Sequence, residues 1–153
     1  LKETDHRTMV APDEKRGSLV LTPLVGVYLL YLLITLSHLG DPFPFMGKLY
    51  SGDASESSIF AASIALVYLM IGILKRQRIT LWLLIAYNSV QCLSEIANLV
   101  HLPVQQVVTA TGSTVPDYEY RLYAFCMAVL FLILNLVLYF NRRHFDNKSP
   151  YLW

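Results

Sequence analysis

Hydrophobic positions along this chain gather into four blocks, residues 19–38, 59–74, 79–100 and 121–141, separated by polar segments that hold most of the Pro and Gly. About 20 apolar residues in a helix cross roughly 30 Å of hydrocarbon. The second block reaches that length by extending back through Ser57 and Ser58, and the fourth by starting nearer Tyr118. The pattern therefore predicts spans near 19–38, 57–75, 79–101 and 119–141. All four are expected to be helices, because an open strand leaves backbone groups unpaired in lipid and no alternating barrel pattern is present. The predicted class is all-α: an integral membrane four-helix bundle over 18–143, with a polar tail at 1–17 and another at 144–153.

The connections sharpen this picture. "KRQR" is the whole link between the second and third blocks, which forces an antiparallel helical hairpin. "GDPFPFMGK" reads as a loop in which Pro42 and Pro44 break the helix, while Phe43, Phe45, Met46 and Tyr50 supply interfacial anchors. "SGDASESS" turns into the second span, with Ser55 or Ser57 as its cap. Pro23 is expected near the start of the first helix, where a missing donor is tolerated. Within "LPVQQVVTATGSTVPDYEY" the segment "VQQVVTAT" fits a short helix or a strand, and the tyrosines of "DYEYRLY" fit the interface. Gly26 and Gly72 each permit close helix approach, although neither forms a GxxxG pair.

Composition agrees with the pattern. The 153 residues are 55% hydrophobic, with a mean hydropathy of +0.46, too apolar for an ordinary water-soluble domain. The net charge of +1 matters less than its distribution. Four spans place the tails and the 75–78 turn on one side, and that side holds ten of the 12 basic residues; Lys48 and Arg121 fall on the other. This predicts both termini in the cytoplasm, in a bacterial inner membrane or another energy-transducing membrane. Leu1 stands where a start Met would, so the chain is expected to be processed, trimmed or excerpted, and the first block has no clear signal-peptide cleavage site. Cys92 and Cys126 read as small residues on packed helices rather than a disulfide.

Chemistry concentrates in the third block. Asn88, Gln91, Glu95 and Asn98, spaced 3, 4 and 3, share one helical face. Polar groups at that depth must face other helices or a wet cavity. Tyr28, Tyr31, Thr35 and His38 form a matching stripe on the first span, which runs parallel to the third, so the two stripes can meet in the outer half of the bundle. Asn135 lies deep in the fourth span, nearer the inner side. For Glu95 there are two readings. One is packing glue, with hydrogen bonds to Tyr31, Thr35 or His38 of about 0.6 kcal/mol each. The other is a small cavity open to the outer leaflet that holds a lipid headgroup, a proton or a polar ligand through Glu95, Gln91, Asn88, Asn98, Tyr31, Thr35 and His38.

Two further sets of residues carry alternatives. His38 and His101 end parallel spans on one side, where a pair of histidines can clamp haem or a metal ion; two interfacial rings are the plainer reading, and no cofactor is expected. Lys75, Arg76, Arg78, Arg142 and Arg143 read first as topology determinants and second as a site for anionic lipid headgroups, at roughly 1 kcal/mol per basic residue. No nucleophile–base–acid set, phosphate loop or metalloprotease motif occurs, which disfavours an enzyme, and nothing points to nucleic acid.

The basic turn "KRQRI", with Trp82 and then Tyr87 after it, and a last span leaving through "RRHF", resemble the membrane region that precedes the soluble domains of bacterial lysylphosphatidylglycerol synthases. The likeness covers 57–100 best and extends to about 145; the family's double Trp is Leu81–Trp82 here. It implies an accessory membrane module for handling or translocating an aminoacylated lipid, and it transfers no catalytic residue.

Three functions are consistent with the sequence. The first is a non-catalytic four-span module or accessory subunit that assembles with a protein partner in a larger membrane system. The second is a module binding or translocating a lipid headgroup or small polar ligand around Glu95. The third is a small membrane redox protein using His38 and His101. Membrane lipids are the common partner.

Overall fold

The computed structural model describes residues 12–102, 112–114, 116–149 and 151, with side chains from residue 19 onward. Four long helices dominate: α1 (Pro12–Ser37), α2 (Asp53–Leu74), α3 (Arg78–His101) and α4 (Asp117–Phe140). Each contains a stretch long and apolar enough to cross a membrane. Between α1 and α2 lies a feature the loop reading missed, an antiparallel hairpin of β1 (Phe43–Phe45) and β2 (Lys48–Tyr50). A single 3-10 turn, Arg142–His144, follows α4. The segment "VQQVVTAT" lies outside the described residues.

The helices begin earlier than hydropathy alone suggests. α1 starts at Pro12, a residue preorganised for the first helical position, and runs through part of the stretch read as a polar tail. Pro23 therefore sits inside the helix rather than near its start. It removes one backbone donor on an exposed face. α2 starts at Asp53, so neither Ser55 nor Ser57 is its cap. Asp53 and Glu56 instead complement the N-terminal end of the helix dipole, and the Ser55 hydroxyl donates to the Asp41 carbonyl at 2.6 Å.

The buried positions recur at spacings of 3 and 4. Leu21, Leu24, Tyr28 and Leu32 on α1 meet Leu66, Leu69 and Ile73 on α2, Leu84 on α3, and Phe131, Leu134 and Leu138 on α4. α1 packs along α2, and α3 along α4. The two pairs meet through Tyr28, whose hydroxyl donates to Asn88 Oδ1 at 2.9 Å, and through Tyr31, set edge-on against Phe131 at 5.2 Å. The outer faces show the reverse character: Leu30, Leu33, Phe60, Leu93, Phe125 and Leu132 are exposed, while Thr80, Asn88, Ser94 and Asn98 are buried. A water-soluble bundle exposes its polar residues. Polar groups turned inward and large apolar ones outward is the arrangement hydrocarbon surroundings require.

At one end of the bundle, α2 closes on a left-handed residue. Arg76 has φ 56°, its N–H bonds the Ile73 carbonyl, and the Gln77 N–H bonds the Gly72 carbonyl at 3.0 Å. This is the 5→2 and 6→1 pairing of a Schellman turn, with Arg in the place Gly usually takes. The conformation costs about 1–2 kcal/mol for a residue with a Cβ, and the chain after α4 offsets that cost by clasping the turn. The Arg76 guanidinium bonds the His144 carbonyl at 2.9 Å and Asp146 at 3.1 Å. The Asn147 N–H bonds the Arg76 carbonyl at 3.1 Å, and the Asn147 carbonyl accepts from the Arg78 N–H at 2.8 Å. Buried Gln77 donates to the Tyr151 carbonyl at 2.7 Å.

The backbone carries more of this clasp than the ion pair does, because Asp146 is largely exposed and exposed pairs contribute at most about 1 kcal/mol. Asn147→Pro removes the N–H donor and should expose residues 142–151 to limited proteolysis, whereas Asp146→Asn should leave cleavage almost unchanged. Equal cleavage of the two variants would contradict this division.

Candidate functional site

At the opposite end of the bundle all four helices line a cavity of about 340 Å³. α1 contributes Tyr31, Ile34, Thr35 and His38; α2 contributes Ile59; α3 contributes Gln91 and Glu95; α4 contributes Glu119, Tyr120 and Tyr123. The rim is made by Asp41, Pro42, Phe43 and Pro44, the entry to the hairpin and its first strand.

The hairpin is held as a cap by the α3 stripe. Its two-residue turn, Met46 (φ 50°) and Gly47 (φ 75°), has both residues left-handed, as the tight turns that match strand twist require. Gly47 also lies against α3: a Cβ there would be 3.0 Å from the His101 Cβ and 3.3 Å from the Ala97 carbonyl oxygen. Two α3 side chains receive the turn's N–H groups. Ser94 Oγ accepts from the Met46 N–H at 3.0 Å, and Asn98 Oδ1 from the Gly47 N–H at 2.8 Å. Asn98 Nδ2 approaches the Pro44 carbonyl at 3.4 Å. Phe43 and Phe45, two residues apart on one face of β1, stack at 6.4 Å.

The stripe Asn88, Gln91, Glu95 and Asn98 thus divides by height. Asn88 is locked into the core by Tyr28, and its Nδ2 has no hydrogen-bond partner. Asn98 anchors the cap. Gln91 and Glu95 alone of the four line the cavity. The α1 groups expected as Glu95 partners are engaged elsewhere. The Thr35 hydroxyl donates to its own helix at the Tyr31 carbonyl, 2.8 Å. His38 Nδ1 lies 3.1 Å from Asp41, and Tyr31 faces Phe131 edge-on and neighbours Tyr87. Tyr87 accepts from Gln91 Nε2 at 2.9 Å. Glu95 meets the side-chain amide of Asn98, one turn further along its own helix.

Several site residues were not picked out by the polar spacing. Tyr87 stands four residues before Gln91 and eight before Glu95, so its i, i+4 position was a readable signal. Of the three tyrosines read as interfacial, Tyr118 and Tyr123 are exposed, and Tyr118 bonds Glu119 at 2.8 Å. Tyr120 is buried and lines the cavity, with its hydroxyl unpartnered. Asp41 and Glu119 also line the cavity.

The two histidines have separate environments. His38 is on the cavity wall, whereas His101 lies under the hairpin turn with Nδ1 3.3 Å from the Ala97 carbonyl. Among the described residues no group of three His, Cys, Asp or Glu converges as a metal site. Both cysteines are free; Cys92 meets the Ala128 carbonyl at 3.5 Å, and Cys126 is exposed rather than packed. Of the basic residues at the far end, Arg76 is committed to the clasp, and Arg142 lies over the Tyr139 ring at 4.8 Å. Arg78 and Arg143 are exposed. Asn135 ties α4 to α3 through Ser89 at 3.1 Å.

Compared with protein-family models, with curated proteins and with solved structures, the chain gives no match.

Proposed function

We propose that this chain is a four-span membrane module that binds a small, mostly apolar ligand with a hydrogen-bonding head in the capped cavity. One observation carries the reading: Gln91 and Glu95 line a cavity, and Gln91 bonds within its own helix instead of across a helix contact. Packing glue accounts for Asn88, which meets Tyr28, and for Asn98, which holds the cap. It does not account for a carboxylate beside 340 Å³ of room. Membrane proteins place ionisable residues at this depth for function, and small-molecule sites combine apolar walls with a few polar groups.

The basic residues support an orientation. Lys75, Arg76, Arg78, Arg142, Arg143 and Lys148 cluster at the clasp end, while Lys48 and Arg121 lie at the cavity end. The clasp end then faces the cytoplasm and the cavity opens towards the outer leaflet.

Ile34→Trp fills the cavity from α1 without touching a buried hydrogen bond. Native mass spectrometry after gentle detergent extraction should show a small-molecule adduct on the wild-type chain that disappears in this variant, with the circular dichroism unchanged. The same adducts in both proteins, or none in either, would overturn the reading.

A further inference from the structure

The charge of the cavity has one sign. Glu95 and Glu119 line it from α3 and α4, and Asp41 stands at the rim. Among the described residues no Lys or Arg lines it, and His38 is paired with Asp41 at 3.1 Å. Arg121, two residues from Glu119, is directed elsewhere: it bonds Asp117 at 2.9 Å and the Leu99 carbonyl at 2.7 Å. The wall also carries four aromatic side chains, Tyr31, Phe43, Tyr120 and Tyr123. Carboxylates and ring faces both attract a cation, and aromatic walls are the usual receptor for an ammonium group. The same wall repels an anion.

Of the two acids, Glu95 is half-buried on α3, whereas Glu119 is exposed and accepts from the Tyr118 hydroxyl at 2.8 Å.

We infer that the cavity selects an ammonium group carried on a small apolar body, with Glu95 as the inner counter-charge, Glu119 as the outer one, and the aromatic side chains as its walls. The inference rests on the reading of this cavity as a ligand site. The ammonium group can belong to a free amine or to an amine-headed lipid.

The test uses the full chain in dodecyl maltoside at neutral pH with three probes of one body: phenethylamine as the cation, 2-phenylethanol as the neutral form and phenylacetate as the anion. Phenethylamine should bind saturably, about tenfold or more tighter than the alcohol, with phenylacetate weakest. Glu95→Gln should remove most of that preference while leaving the affinity for the alcohol unchanged. Glu119→Gln serves the same purpose if the first variant does not fold. Added phosphatidylethanolamine should displace phenethylamine if the group is a headgroup; no displacement assigns it to a free amine, and phosphatidylglycerol is the control. Equal binding of amine and alcohol, a preference that survives both substitutions, or no binding of any probe overturns the inference. If the adduct that Ile34→Trp removes is present all the same, the cavity remains a ligand site and only its charge selectivity is refuted.

Discussion

Gly72→Ala should lower the unfolding temperature of the detergent-solubilised protein, although Ala favours a helix interior by about 1 kcal/mol over Gly. Gly72 faces Thr80 at the start of α3 across a close helix contact. A Cβ there would overlap the Thr80 hydroxyl and would stand 2.6 and 2.8 Å from its Cγ2 and Cβ. Thr80 cannot swing aside, because it is fully buried and bonds Gln77 Oε1 at 3.1 Å. The backbone cannot yield cheaply either, since the Gly72 carbonyl receives the Gln77 N–H of the closing turn. Overpacking of this kind costs about 1–3 kcal/mol and occasionally more, and the fixed turn places Gly72 at the upper end.

Gly26 is the internal control. It also lies within an apolar helix, but a Cβ there meets nothing within 4 Å, so Gly26→Ala should be neutral or stabilising by up to about 1 kcal/mol. Thr80→Gly in the Gly72→Ala background should recover part of the loss, a coupling that a double-mutant cycle measures. A neutral Gly72→Ala, or a destabilising Gly26→Ala, would contradict the packing described for these two positions.

The second large effect falls on the cap. In Asn98→Leu the Gly47 N–H loses its acceptor at 2.8 Å and the Pro44 carbonyl loses the amide at 3.4 Å. An orphaned backbone group costs about 1–3 kcal/mol. A two-stranded hairpin has little stability of its own, so β1 and β2 should detach from α3. Phe43 and Pro44 then leave the cavity wall, and dissociation of the bound adduct should quicken by about tenfold, the equivalent of 1.4 kcal/mol. The helices should persist, because the core residues that join them lie below the cap. Hydrogen exchange checks this directly: the amides of 43–50 should lose protection while those of 59–74 keep it. Unchanged protection in the hairpin would mean that Ser94 alone suffices to hold it.

The contrast between Gly26 and Gly72 shows where sequence reasoning stopped. Both are glycines in hydrophobic blocks, and one dimension offers no way to tell a packed face from an open one. The stripe on α3 behaves in the same way. Its spacing placed four polar groups on one face and paired that face with Tyr28 and Tyr31, and both placements hold. Their division into a core lock, a cavity wall and a cap anchor depends on which partner each meets at its height, Tyr28, the cavity or the hairpin, which no local pattern encodes. The hairpin escaped notice because Pro44 disfavours a strand assignment and Met-Gly is a weaker turn signal than Asn-Gly. The clasp escaped because main-chain pairing between 76–78 and 147 leaves no trace in side-chain pattern.

The sequence by itself determined four long apolar helices, an antiparallel connection through a basic turn, and a polar face on the third helix. These follow from residue-by-residue hydrophobicity and helical periodicity, which are local quantities. Only the tertiary structure decided that Glu95 and Gln91 border a cavity, that Tyr120 and Glu119 join them from the fourth helix, and that a β-hairpin closes the rim. Those outcomes depend on the angle and separation of helices distant in the chain. These are set by the sum of contacts such as Gly72 on Thr80 and Tyr31 on Phe131, and not by any single stretch of residues.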